Sequence, residues 1–177
     1  MKAVTFSYDD GVTQDIRLVE ILNRYNLKAT FNLNSELLGK DGSLDILGKR
    51  ILHNKVQPHE ITEVYKGHEI AAHTLTHPDM TEMPADEVIR QVEQDRLNLS
   101  ELSGTEVIGM AYPGRQPNYN SRIARIIKNG TGVKYARTTI CNKDFSYQSD
   151  LYEFHPSVFH RDWDQLYKLN KFFRKLI

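Results

Sequence analysis

Residues 2–11 read KAVTFSYDDG, and the rest of the chain is read outward from them. Residues 2–8 alternate in polarity and are rich in the β-branched and aromatic types that suit a pleated, half-buried strand. Asp9 and Asp10 close that strand. Two adjacent carboxylates are costly there unless a cation or a proton separates their charges. Neighbours on an extended chain point in different directions, so the pair can divide its labour. One can bind a metal ion while the other faces a substrate as a general base. Gly11 allows a sharp turn beneath them. The same carboxylates would also suit the N-terminus of a following helix, and this stretch alone leaves both readings open.

Downstream, short β-rich runs alternate with helical periodicity about five times, the mark of βα units and a parallel sheet. Residues 13–26 carry Ile16, Leu18, Val19, Ile21 and Leu22 at helical spacing, and residues 29–33 (ATFNL) form a second strand. The stretch 35–57 is irregular and is expected to hold one or two short helices. Residues 59–65 read as a helical turn or two ended by Gly67. Residues 69–72 (EIAA) are a third strand, and residues 84–102 are the clearest helix, with Pro84 near its first position. Strands over 107–111 and 133–137 flank a helix over 121–129 with Ser121 as its N-cap. Residues 140–162 are irregular and aromatic, and residues 163–177 look helical. The order fits an open α/β sheet or a partial (β/α) barrel. In both, functional side chains gather past the C-terminal ends of strands. Asp9 and Asp10, His73, and Tyr112 with Pro113 all fall at that edge.

Residues 71–78 read AAHTLTHP. Two histidines four apart share one face if the segment is helical, so both imidazoles can reach one ion. A surface turn with two ordinary histidines is the plainer alternative. Joined to the Asp-Asp pair at an equivalent strand end, the spacing becomes a specific pattern. Imidazole with carboxylate is a normal ligand set for zinc and other first-row divalent ions. Three protein ligands with an open position make a catalytic site, where an ion activates water and polarises a carbonyl. Amide or ester hydrolysis follows from that arrangement; the substrate does not.

Composition narrows the field. The chain has 177 residues, enough for one domain, and 23 basic residues balance 23 acidic ones. That balance argues against a nucleic-acid or anionic-membrane partner. Lys168, Lys171, Arg174 and Lys175 form a local basic group that reads first as a solvated helix face. The one cysteine, Cys141, excludes an internal disulfide and a cysteine-based zinc cluster. Only Met1 and Lys2 precede the first strand, and no run approaches the roughly 18 apolar residues of a membrane helix. A cytoplasmic protein is the expectation. The His68-Glu69 pair does not extend to a zincin motif, because position 72 is Ala, and Trp163 reads first as a core or edge anchor.

TFSYDDG over 5–11 is similar to the first motif of polysaccharide deacetylases (carbohydrate esterase family 4), and HTLTH over 73–77 matches their second. GMAYPG over 109–114 resembles the third, and YARTT with HPSVFHRD carries a weaker likeness to a bacterial, chitooligosaccharide deacetylase-like subgroup. The resemblance runs from Val4 to about Leu169. It implies a distorted, incomplete (β/α) barrel over a single domain, 1–177. It further implies Asp9 as the base and Asp10, His73 and His77 as ligands of a divalent ion, zinc first, with Co, Ni, Mn or Fe as alternatives. The implied substrate is an acetylated amino sugar or oligosaccharide. Tyr112, Pro113 and His160 are the implied substrate contacts, with the Tyr112 N–H as an oxyanion donor. Where many members carry an arginine that orients the base, this chain has Met110 or Ala111; Arg115 is a candidate substitute.

The pattern departs from the family at its end. A final strand carrying the histidine that protonates the leaving amine is expected to be missing, with His155 and His160 as candidate replacements. A shortened chain would expose a sheet edge open to self-association. A weakly active or inactive metal-retaining homologue that binds glycan or a partner, and a metal hydrolase without a sugar substrate, are the competing readings.

Overall fold

The computed structural model describes residues 4–114 and 117–159, together with 162, 164 and 167. Five parallel strands form its sheet: β1 (Phe6–Asp9), β2 (Ala29–Leu33), β5 (Glu69–Ala72), β6 (Gly109–Ala111) and β7 (Tyr135–Arg137), in the order β1-β2-β5-β6-β7. Between β2 and β5 lies a separate antiparallel hairpin of β3 (Ser43–Ile46) and β4 (Lys49–Leu52). The helices are α1 (Asp15–Arg24), α2 (Ile61–Val64), α3 (Ala85–Ile89), α4 (Asp95–Ser103) and α5 (Ser121–Gly130). A π-helical stretch, Arg90–Gln94, joins α3 to α4.

Burial explains the sheet. β2 has three buried apolar residues, Ala29, Phe31 and Leu33, and β6 is buried throughout, as expected of inner strands covered on both faces. Against them pack Val19 and Leu22 of α1, Val88, Val92 and Leu99 of the π-interrupted helix, and Ile123 and Ile127 of α5. Burying each such side chain stabilises the fold by about 1.5–3 kcal/mol. Gly109 of β6 is required by close approach. A Cβ there would lie 2.1 Å from Cζ of Tyr135 on the neighbouring strand.

The register decides what reaches the sheet's upper edge. Asp9 pairs with Asn32, Leu33 with Ala72, Ala72 with Met110, and Ala111 with Arg137. The strands therefore end level, and the residues just past them converge. The sheet curls into a half-barrel. Arg137 of β7 donates from Nε to the Ser7 hydroxyl of β1 at 3.0 Å, joining the first strand to the last. One further segment extends the β7 edge, where Phe154 forms a parallel bridge with Arg137.

Three expectations change. The stretch 35–57 holds one 3-10 turn, Ser35–Leu37, and the hairpin in place of further helices. Its turn is made by Leu47 and Gly48, both at positive φ (54° and 74°), the twist that joins antiparallel strands tightly. The expected helix over 84–102 is present but contains the π-helical stretch. The HTLTH segment is not helical; Thr74 and His77 sit at φ 69° and 59°. Arg115, His160, Trp163 and the basic group from Lys168 to Lys175 lie outside the described residues. No helix among the described residues is long and apolar enough to cross a membrane.

Candidate active site

Asp9 and Asp10 end β1 in different backbone conformations. Asp9 remains in the ladder, whereas Asp10 takes φ 83° and Gly11 φ 60°, so the chain doubles back and the two carboxylates diverge. Gly11 has little alternative; a Cβ there would lie 2.9 Å from Cδ2 of Leu33. The Asp9 carboxylate accepts from Nδ2 of Asn32 at 2.8 Å and from the Arg137 guanidinium. Burial pushes Asp9 upward, but the charge of Arg137, the nearby His73 and those two hydrogen bonds outweigh it. Asp9 is held below the usual carboxylate range, ionised and oriented.

Asp10 faces the two histidines. Its Oδ1 lies 3.7 Å from Nε2 of His77 and 3.9 Å from Nε2 of His73. The ring of His73 meets that of His77 edge-on, with centroids 4.9 Å apart. The ligating atoms of Asp10, His73 and His77 all fall within 4.8 Å of one another. His73 is 2% exposed, and its Nδ1 sits 2.9 Å from the Ala111 carbonyl. A carbonyl only accepts, so Nδ1 carries the proton and the Nε2 lone pair faces Asp10. Burial favours that neutral ring by lowering the tendency of His73 to protonate. At His77 the Gly114 N–H donates to Nε2 at 3.3 Å, so this nitrogen carries no proton, and its lone pair is held by a long hydrogen bond that an ion would displace. Three electron-rich atoms thus converge with no proton between the rings and the carboxylate. Such a set fits a divalent cation, and the imidazole–imidazole–carboxylate chemistry suits zinc or a neighbouring first-row ion.

The loop that holds both histidines is fixed from below by the π-helical stretch. There the carbonyl of Gln91 accepts from Leu75 N–H at 3.0 Å, and Gln91 Oε1 accepts from Thr76 N–H at 3.2 Å. Asp95, fully buried, accepts from the N–H of His73 at 2.9 Å and of Ser35 at 2.7 Å. π-Bulges of this kind commonly occur at functional sites, where they re-aim side chains. Asn34 adds donors to the carbonyls of His73 (2.5 Å) and Thr74 (2.8 Å).

Two expected substrate contacts take another place. Tyr112 is fully buried, stacks on Tyr119 and donates its hydroxyl to the Tyr152 carbonyl at 2.8 Å. Its N–H is committed to the Arg137 carbonyl at 2.9 Å, so it is not an oxyanion donor. Pro113 is buried as well, and Gly114 is the exposed residue of that loop. The parallel ladder is the physical reason, because it extends one residue beyond β6 and consumes the Tyr112 N–H. His155 pairs with the Thr138 hydroxyl at 2.8 Å. Arg137 was not singled out from sequence, although it ends a strand as Asp9 does. Asp95 also left a signal, since it falls at helical spacing on the stripe Val88, Val92, Leu99.

The geometry therefore defines a class: an α/β half-barrel with a carboxylate–histidine–histidine cluster and a second, arginine-held carboxylate at one edge. The family profile described as polysaccharide deacetylase matches residues 1–136, and the chain belongs to that family. It is 27% identical over 107 residues to a bifunctional xylanase/deacetylase of Pseudobutyrivibrio xylanivorans, a match covering 60% of this chain and 15% of that protein. The same fold occurs in the deacetylase PplD of Streptococcus pyogenes, solved with acetate. That likeness has TM-score 0.72 and 20% identity, over 92% of this chain and 67% of the other. A polysaccharide deacetylase from Bacillus cereus is similar too, with TM-score 0.71 and 17% identity, over 92% of this chain and 49% of that one. The chain thus spans a small part of its curated relative and about half to two thirds of these structures.

Proposed function

We propose that this chain is a divalent-metal hydrolase, zinc being the first choice, that removes acetyl groups from the nitrogen of amino sugars in an oligosaccharide or polysaccharide. The observation that carries the reading is the convergence of Asp10, His73 and His77 within 4.8 Å beside an independently anchored Asp9. When bound, the ion would supply Lewis acidity toward water and toward a carbonyl oxygen.

The remaining work falls to the chain. Asp9 takes the proton of the attacking water, because it is ionised and stands beside the ligand set without belonging to it. Arg137 and Asn32 hold its orientation and absorb the change in charge. The Gly114 N–H donates to His77 Nε2; an ion taking that lone pair would release it to stabilise negative charge on the acetyl oxygen. Asp95 and Gln91 keep the histidine loop rigid, so little reorganisation accompanies the reaction.

Acetate release from an N-acetylated chito-oligosaccharide, measured together with metal content, tests the proposal. Asp9→Asn is expected to keep one metal per chain and lose about 10²–10⁴-fold in turnover. Arg137→Met should fall in kcat with metal content unchanged. Full activity in Asp9→Asn would remove the assigned base. Hydrolysis of simple acetyl esters with no amide turnover would place the enzyme in another substrate class.

A further inference from the structure

We infer that His53, carried on the β3–β4 hairpin arm, is a positioning residue for the metal centre that holds one oxygen of Asp10 so that the other faces the two histidines. The inference rests on the metal-dependent function proposed above and adds a residue outside the three-ligand set.

The Asp10 carboxylate is divided between two neighbourhoods. Oδ1 faces His77 and His73 at 3.7 and 3.9 Å, whereas Oδ2 lies 3.3 Å from Nε2 of His53. The χ2 torsion of an aspartate is broad and nearly two-fold, so an unrestrained carboxylate would exchange its oxygens. A ligating carboxylate is normally fixed by an outer hydrogen bond. His53 Nε2, 3.3 Å from Oδ2, is placed to supply that bond.

Lys55 and the Asp10 carboxylate both approach Nε2 of His53. The Lys55 Nζ lies 2.8 Å from the Asp10 carbonyl, 3.6 Å from Asp10 Oδ1 and 3.3 Å from His53 Nε2. An ammonium only donates. If the Nε2 lone pair turned to Lys55, the ring would meet Oδ2 with no proton between them. With the proton on Nε2 the Asp10 bond is made, and Lys55 remains satisfied by the Asp10 carbonyl. That second bond also supports Asp10 in its positive-φ conformation.

The hairpin is built to deliver these groups. Its return strand is clamped to the turn after β1 by Val56 N–H to the Gly11 carbonyl (2.9 Å) and Thr13 N–H to the Asn54 carbonyl (2.8 Å). The Gln14 side chain donates to the Leu52 carbonyl at 2.6 Å, and Val12 bridges Lys55. His53 itself donates its N–H to the Gly42 carbonyl at 2.8 Å, so the ring is referenced to both hairpin strands. His53 is not among the three residues whose ligand atoms cluster, and its side chain is 24% exposed. It borders the ion site and does not complete the cluster.

The test is the zinc and cobalt affinity of the full chain, read by competition with a chelating dye, for wild type, His53→Ala and His53→Gln. His53→Ala is expected to bind one metal about ten- to a hundredfold more weakly. His53→Gln keeps an N–H donor at similar reach and should recover most of that loss. The cobalt absorption spectrum should keep its shape in both, because the ligand set is unchanged. Wild-type affinity in His53→Ala would overturn the inference. So would a cobalt spectrum that changes in both variants, with His53→Gln as weak as His53→Ala, since that marks direct ligation. A wild-type chain that binds neither ion would instead overturn the proposed function.

Discussion

Asp9 and Asp10 are chemically identical and adjacent, yet their surroundings separate them. Asp9 receives Arg137 and Asn32, whereas Asp10 receives the two histidines and the hairpin. Asp15 shows the opposite use of a carboxylate. It is 4% exposed, accepts from the Tyr65 hydroxyl at 2.9 Å, and is pushed up to about 6, chiefly by burial. Its folded-state value lies above that of the unfolded chain, so the folded protein holds this proton more tightly. The stability it contributes is full below the unfolded value near 4 and is lost as pH rises through about 6. We expect urea unfolding of the metal-free protein to show a smaller loss of stability from pH 4 to pH 7 in Asp15→Asn than in wild type, by roughly 2–3 kcal/mol. Equal pH profiles would show that Asp15 titrates alike in both states.

At the scale of elements, the alternation of strands and helices was readable because each βα unit carries its own periodicity. The strand-end position of Asp9, Asp10 and His73 followed from it. The β3–β4 hairpin was not readable. Its residues are exposed on both faces, so no buried stripe marks the strands. Its turn also places Leu47 where Asn or Gly is usual. Leu47 is 98% exposed at φ 54°, a conformation costing an ordinary L-residue about 1–2 kcal/mol. Leu47→Asn should therefore raise stability by about 0.5–1 kcal/mol in urea unfolding, with metal affinity unchanged. A destabilised variant would mean that Leu47 is held by something other than the turn. The π-helical stretch was hidden for a different reason. Its apolar stripe runs on through α3 and α4, and the buried polar Gln91 and Asp95 beside it betray the change of pitch.

For the whole molecule, the proposed metal binding would be linked to folding. The proposed ligands come from the turn after β1 and the turn after β5, which the fold alone brings together, so an ion would bind the folded chain and not the unfolded one. Zinc at about a hundred times its Kd should add about 2.7 kcal/mol and raise Tm by roughly 5–10 °C in a thermal melt. His77→Ala should abolish that shift while leaving the metal-free melt nearly unchanged, because His77 is partly exposed at the edge of the core. A shift that survives in His77→Ala would point to metal binding elsewhere.

Sequence alone determined the βα alternation, the edge at which chemistry collects, and the residue types able to take a divalent ion. These are local properties, written in periodicity and in short motifs. The tertiary structure decided which groups meet across distance. Arg137 reaches Asp9 from the last strand because the parallel register sets Ala111 opposite Arg137 and the sheet curls back on β1. His73 and His77 meet through a loop with two positive-φ residues instead of a helix turn. The Tyr112 N–H was lost to the ladder, and the Gly114 N–H turned to His77 Nε2. No spacing rule encodes register, sheet curl or a hairpin folding over an aspartate, because each depends on packing between segments far apart in the chain.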